Sequence, residues 1–105
     1  MATNRLEILN AMVKQDPRNS FARYGLAMEY GKNGDWTQAV TEYRELLRID
    51  GTYVAAYFHG GQALEKLGDL VDARDMYERG IAAATQKGDL HTRAEIEAAL
   101  AALPV

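Results

Sequence analysis

Two histidines are the side chains in this chain best suited to metal binding or proton transfer near neutral pH. His59 and His91 lie far apart in the sequence, and neither has a second ligand at helical spacing. A metal site needs several nitrogen, oxygen or sulfur ligands that converge on one point. We therefore interpret each histidine as an ordinary surface or groove residue, and we expect neither a metal nor a cofactor.

Carboxylates could also serve in acid–base chemistry, but arginines accompany them. The carboxylates are Glu42, Glu45, Asp72, Asp75 and Glu78, and the arginines are Arg44, Arg48, Arg74 and Arg79. This mixture predicts solvated charge pairs on outward faces, which contribute little individually. The sequence contains no phosphate-binding glycine loop and no plausible Ser-His-Asp or Cys-His set. We assign no catalytic residue, and we expect that the protein is not an enzyme.

One tripeptide, Gly60-Gly61-Gln62, also occurs in translation release factors, where it acts on an exposed loop. Here it falls inside a predicted helix, at a position where small residues pack. A short motif needs its structural setting to carry a function. We therefore interpret this tripeptide as a packing feature.

Composition favours a single soluble domain of 105 residues. A net charge of -3 argues against a nucleic-acid partner, which normally requires a basic surface. The absence of cysteine excludes disulfides and thiolate metal sites. No apolar run approaches the roughly 18 residues that span a bilayer, and residues 1–10 do not resemble a signal peptide. We predict a cytoplasmic protein that does not contact a membrane.

The chain repeats itself at an offset of about 34 residues. Ala22, Lys32, Gly34-Asp35, Ala39 and Tyr43 recur as Ala56, Lys66, Gly68-Asp69, Ala73 and Tyr77. Each unit has the apolar spacing of two helices joined by a turn. The glycine can adopt the left-handed conformation that ends a helix, and the aspartate can cap the next one.

The repeat divides the chain into four parts. We predict a half repeat at 5–17, full repeats at 20–53 and 54–87, and a capping helix at 88–103, all within a single domain at 1–105. The predicted fold is all-α: an α-α superhelix of antiparallel helix pairs, with about six helices. The last helix would cover an apolar face that a repeat stack otherwise exposes.

The residues at fixed spacing resemble the tetratricopeptide repeat (TPR) family. The first unit carries Arg23, Leu26-Ala27, Tyr30, Ala39, Tyr43 and Gly51 at the family positions, and the second carries Tyr57, Gly60-Gly61, Leu64, Ala73, Tyr77 and Thr85. Pro17 supplies the proline that closes a repeat. Four positions depart from the pattern. Arg23 replaces an aromatic residue, Gly51 and Thr85 replace the proline, and Gly60 replaces a leucine, which we expect to thin the packing there.

The resemblance implies a protein-interaction adaptor that binds a protein or peptide in a concave groove lined by the first helix of each pair. The groove-facing positions are Phe21, Tyr24, Met28, Lys32, Phe58, His59, Gln62, Lys66 and Arg93. They suit a peptide with apolar anchors and an acidic group. The alternative is that these side chains complete the core.

Two further hypotheses concern the kind of partner. Some TPR proteins hold the C-terminal carboxylate of heat-shock chaperones with Lys, Asn and Arg side chains. The matching positions here hold Tyr24, Met28 and His59, and only Arg93 fits in type, so we reject that partner. The other hypothesis is self-assembly into a homodimer through Leu6, Met12 and neighbouring residues on the opening helix.

Overall fold

The computed structural model describes residues 4–104, which form six α-helices and no strand. The helices are α1 Arg5–Gln15, α2 Ser20–Lys32, α3 Trp36–Ile49, α4 Val54–Lys66, α5 Leu70–Lys87 and α6 Leu90–Ala101. The predicted all-α fold class is confirmed. The outermost positions of the predicted single domain, 1–3 and 105, lie outside the described residues.

Short polar side chains cap most of the helix N-termini. Asn4, Asn19, Asp35, Asp69 and Asp89 each accept a hydrogen bond from the backbone N–H three residues later. This bond satisfies one of the donors that the first turn of a helix leaves free. Only α4 begins without such a cap among the described helices, at Tyr53.

Glycines end the helices that precede the tight turns. Gly34 and Gly68 both have φ of 78°, a left-handed conformation that costs glycine little. The next backbone N–H, that of Asp35, then donates to the carbonyl oxygen of Tyr30 at 2.9 Å. Asp35 therefore closes α2 with its backbone and opens α3 with its side chain, which is why the Gly-Asp pair recurs.

The helices stack in chain order. Each packs against the next, and α4 also contacts α2 and α6. The fully buried side chains of largest volume are Tyr77, Leu26, Leu46, Leu64 and Ile96. Complete burial of a side chain of this size stabilises the fold by about 1.5–3 kcal/mol. Since α2 and α4 lie side by side, the first helices of the two pairs form one face of the stack.

The contact between α4 and α5 depends on a small residue. A Cβ atom placed on Gly61 would lie 2.2 Å from Cε1 of Tyr77. The neighbouring Gly60 has more room, since a Cβ there would lie 3.4 Å from Cε of Met76 and from Cβ of Tyr43. The prediction that Gly60 thins the packing is wrong, because the flexible Met76 side chain fills that space.

A buried ion pair occupies the position where the repeat pattern has an aromatic residue. Arg23 is 9% exposed, and its Nη1 lies 2.6 Å from Oε1 of Glu42. Its Nη2 also donates to the carbonyl oxygen of Pro17 at 3.0 Å. The prediction that Glu42 belongs to a solvated pair is therefore wrong. Arg44 and Asp72, at 2.9 Å, do form an exposed pair.

Candidate functional site

An open groove lies between α2 and α4, with α3 as its floor. We call it the central groove, and it has a volume of about 460 Å³. Its lining residues are Met28, Gly31, Lys32, Trp36, Tyr43, His59, Gln62, Glu65 and Lys66. The walls come from the first helix of each pair, as the TPR resemblance implies. The central groove is large enough for a few side chains of an extended peptide.

The middle of the central groove is apolar and aromatic. Tyr43, only 3% exposed, rises from α3 and donates a hydrogen bond from its hydroxyl to the sulfur of Met28 at 2.9 Å. Burial, together with the nearby Tyr24, raises the pKa of Tyr43 above its ordinary value. The phenol therefore stays protonated, and Met28 is held as a half-exposed thioether surface that can adapt to a ligand.

Trp36 forms the floor at one end of the central groove because the wall beside it is a glycine. A Cβ on Gly31 would lie 3.0 Å from Cζ3 of the indole, so only glycine leaves the ring its full space. The Nζ atom of Lys66 stands 6.0 Å from the centre of the Trp36 ring. A cation at this distance is weakly attracted to the face of an indole.

Two lysines supply the positive charge at that end. Lys32 and Lys66 are exposed, and neither forms an ion pair with a carboxylate of residues 4–104. The lining carboxylate, Glu65, accepts a hydrogen bond from the hydroxyl of Tyr77 on the neighbouring helix. The described lining residues therefore carry two ammonium groups and one carboxylate.

The half-buried imidazole of His59 lies beside the apolar middle of the central groove and next to the rings of Tyr24 and Phe58. Burial lowers the pKa of His59 below 6.5, and this outweighs the opposing effects of Gln62 and Glu95. His59 is therefore neutral at pH 7. Its ring centre lies 5.9 Å from that of Tyr24 and 5.2 Å from that of Phe58.

The structure brings five of the nine predicted binding residues into the central groove: Met28, Lys32, His59, Gln62 and Lys66. Tyr24 lies just beyond it and contacts Tyr53, with ring centres 5.1 Å apart. The other three are spread more widely. Phe21 is 74% exposed in the first turn of α2, and Phe58 is half-buried against the core. Arg93 lies on α6, with Nε 3.5 Å from Oε1 of Glu97.

Sequence reasoning missed four lining residues: Gly31, Trp36, Tyr43 and Glu65. Trp36 and Tyr43 lie on α3, the second helix of a pair, whereas the sequence predicts a groove lined by the first helix of each pair. A usable signal was present, because Trp36 directly follows the Gly34-Asp35 turn. A residue at that point of a tight turn stands next to the end of the preceding helix.

Other kinds of site are not represented in the described part of the chain. Among residues 4–104, no group of three or more His, Cys, Asp or Glu side chains could hold a metal ion. None of the six described helices combines the length and apolar character needed to cross a bilayer.

Antiparallel helix pairs in register, with a groove along the first helices, define a helical repeat protein. A family model described as TPR repeat matches residues 27–68. A TPR repeat-containing protein of Pseudomonas aeruginosa is 31% identical over 91 residues, which span 87% of each chain. The chain belongs to the TPR repeat family.

Solved structures agree in fold. The solution structure of a tetratricopeptide repeat domain protein from Salinibacter ruber is 35% identical, with a TM-score of 0.75 over 81% of this chain and 86% of that one. A Bordetella parapertussis protein is 31% identical, with a TM-score of 0.84 over 97% of this chain and 89% of its own. The crystal structure of PcrH in complex with the chaperone binding region of PopD has a TM-score of 0.88 at 23% identity, over 93% and 74% of the chains, a likeness in fold alone.

Proposed function

We propose that this chain is a non-catalytic protein-interaction adaptor that binds a peptide or protein segment in the central groove. The observation that carries the proposal is an open cleft with an apolar, aromatic middle and, at one end, two lysines that form no ion pair within residues 4–104. A TPR fold often presents such a concave surface to partners. PcrH, which shares the fold, is seen with a segment of PopD, and this is support by analogy of fold. The predicted cytoplasmic location remains a prediction.

The central groove suits recognition better than chemistry. Met28 and Trp36 offer adaptable and flat apolar contact area, the type that anchors binding in protein interfaces. A bound segment would cover the half-exposed apolar atoms and leave the lysines at the edge of the contact.

The test is binding of peptides selected against the wild-type chain from a random displayed library. Met28→Arg places a charge in the central groove, and we expect it to weaken the selected peptides at least about tenfold, the loss typical of a central contact. Val71→Arg is the matched control, because Val71 is 80% exposed in a separate depression beside Leu70 and Arg74. It should leave affinity unchanged.

A map of the contact completes the test. Isotope-labelled chain titrated with a selected peptide should show its largest backbone amide shifts at Met28, Lys32 and Gln62. Peptides that bind both arginine variants equally well would contradict the assignment of the groove. Shifts confined to α1 would contradict it as well.

Self-assembly is a second candidate, and one observation on α1 favours it. Ile8 is 49% exposed and Met12 37% exposed, and both line a shallow depression with Ala11. Leu6, which the sequence also suggested, is partly buried. If this face joins two copies, sedimentation should show a dimer that Ile8→Lys converts to a monomer. A monomer at high concentration would remove this candidate.

A further inference from the structure

The central groove has two chemically different ends. Met28, Tyr43 and His59 form the apolar middle, and Lys32 and Lys66 stand at the end near the glycine turns. Each lysine is in the last turn of its helix, α2 or α4. Because the two helices are the first of their pairs, the two ammonium groups approach the same end of the cleft from opposite walls.

The charge at that end is not neutralised within the described chain. Neither lysine makes an ion pair with any residue in 4–104. The carboxylate of Glu65 accepts a hydrogen bond from the Tyr77 hydroxyl and keeps its negative charge, so the described lining residues carry a net charge of +1. An anionic group of a ligand would therefore gain two cationic partners without displacing an existing pair. The indole of Trp36 beneath this end would exclude water from one side.

The spacing of the two ends matches an extended peptide. Met28 and Lys32 are one helical turn apart, which separates them by about 6 Å along the α2 axis. In an extended segment, side chains on the same face recur at every second residue, about 6.6 Å apart. For a segment that runs parallel to α2, an apolar side chain over Met28 therefore places the side chain two positions away between the lysines.

Building on the proposed function, we propose that the central groove selects peptide segments in which a bulky apolar residue and an Asp or Glu are separated by one residue. The apolar side chain covers Met28 and Tyr43, and the side-chain carboxylate lies between Lys32 and Lys66. The ligand group is an internal side chain, so the segment needs no free C-terminus.

The test uses blocked peptides, acetylated and amidated so that neither terminus is charged. Fluorescent nonapeptide pools carry a fixed Leu-x-Glu, Leu-x-Gln or Leu-x-Lys centre, each made in both orders, and a further pool carries Leu-Glu without the spacer. Wild-type chain should bind the Leu-x-Glu pool about fivefold more tightly than the Leu-x-Gln pool, the order expected for ion pairs at a solvated edge. Leu-Glu should lose this advantage, because adjacent side chains point to opposite faces.

Variants assign the preference to the two lysines. Lys32→Gln/Lys66→Gln should bind the Leu-x-Glu and Leu-x-Gln pools equally and should lose most of the salt dependence. Lys14→Gln is the control, since Lys14 is an exposed lysine on α1 outside the central groove. Both lysine substitutions are at exposed positions, and circular dichroism of each variant should match that of the wild-type chain.

The outcomes separate this inference from the proposed function. If wild type binds all pools equally and Met28→Arg weakens that binding, the acidic preference is overturned, but the assignment of the groove still holds. A preference for Leu-x-Lys, or a Glu preference that survives the double lysine variant, would also overturn it. If no pool binds while library-selected peptides do, the spacing is wrong. If neither the fixed pools nor any library peptide binds, both proposals fail.

Discussion

Gly61→Ala is expected to destabilise the protein, although the same change in an exposed helix is stabilising by about 0.5–1 kcal/mol. The reason is the close approach of α4 and α5. The new Cβ would lie 2.2 Å from Cε1 of Tyr77, whereas carbon atoms in favourable contact lie about 3.5–4.0 Å apart. The ring or the helix must therefore move by more than about 1 Å to restore contact distance.

The magnitude follows from how little freedom Tyr77 has. Its side chain is fully buried, and its hydroxyl is bonded to Glu65, so the ring cannot rotate out into solvent. Overpacking of this kind costs about 1–3 kcal/mol, and we expect the upper part of that range. After the helix-propensity gain is subtracted, the free energy of unfolding should fall by about 2 kcal/mol. That loss corresponds to a drop of about 8–16 °C in Tm.

The assay is urea unfolding followed by far-UV circular dichroism, with Gly60→Ala as the matched control. Gly60 is also buried within α4, but its added Cβ would come no closer than 3.4 Å to its neighbours, Cε of the flexible Met76 side chain and Cβ of Tyr43. This variant should lie within about 1 kcal/mol of wild type, because the propensity gain offsets a slight crowding. If Gly61→Ala unfolds at the same urea concentration as wild type, the packing argument is refuted.

Two other predictions concern buried charge and acid stability. Arg23→Met should lower the free energy of unfolding by about 3 kcal/mol, because it leaves the Glu42 carboxylate without its partner. Adding Glu42→Leu should recover most of the loss, and a double variant no more stable than the single one would contradict this. Because the pKa of His59 is lowered in the fold, its contribution is complete above about pH 6.5 and is lost as pH falls towards the folded pKa. His59→Gln should therefore lose less stability than wild type between pH 7.5 and 5.5 in urea titrations; equal losses in both proteins would refute the assignment.

The helices and turns could be predicted from sequence because their determinants are local. Gly34 and Asp35 act through the φ angle of one residue and one side-chain hydrogen bond. Both effects depend only on residues within a turn or two, so spacing alone identifies them. The 34-residue repeat then gives the pairing of helices, since an element and its copy must pack in the same way.

The floor of the central groove and the buried pair could not be predicted in the same way. Trp36 reaches the groove because Gly31, on a different helix, has no side chain, and the pattern of α3 alone does not contain that information. Arg23 and Glu42 meet across two helices. The departure of Arg23 from the repeat pattern was a signal, but the choice of its partner needed the three-dimensional packing.

The order in which the helices pack has a mechanical consequence. The two walls of the central groove, α2 and α4, are joined mainly through α3, and Tyr43 from that helix lines the space between them. In a stack where contacts are made chiefly between successive helices, the curvature of the whole follows from small rotations at such joints. A bound segment that contacts both Met28 and His59 would connect the two walls directly. Occupancy of the cleft would then reduce the bending freedom of the whole stack, and part of the binding free energy would be spent on that stiffening.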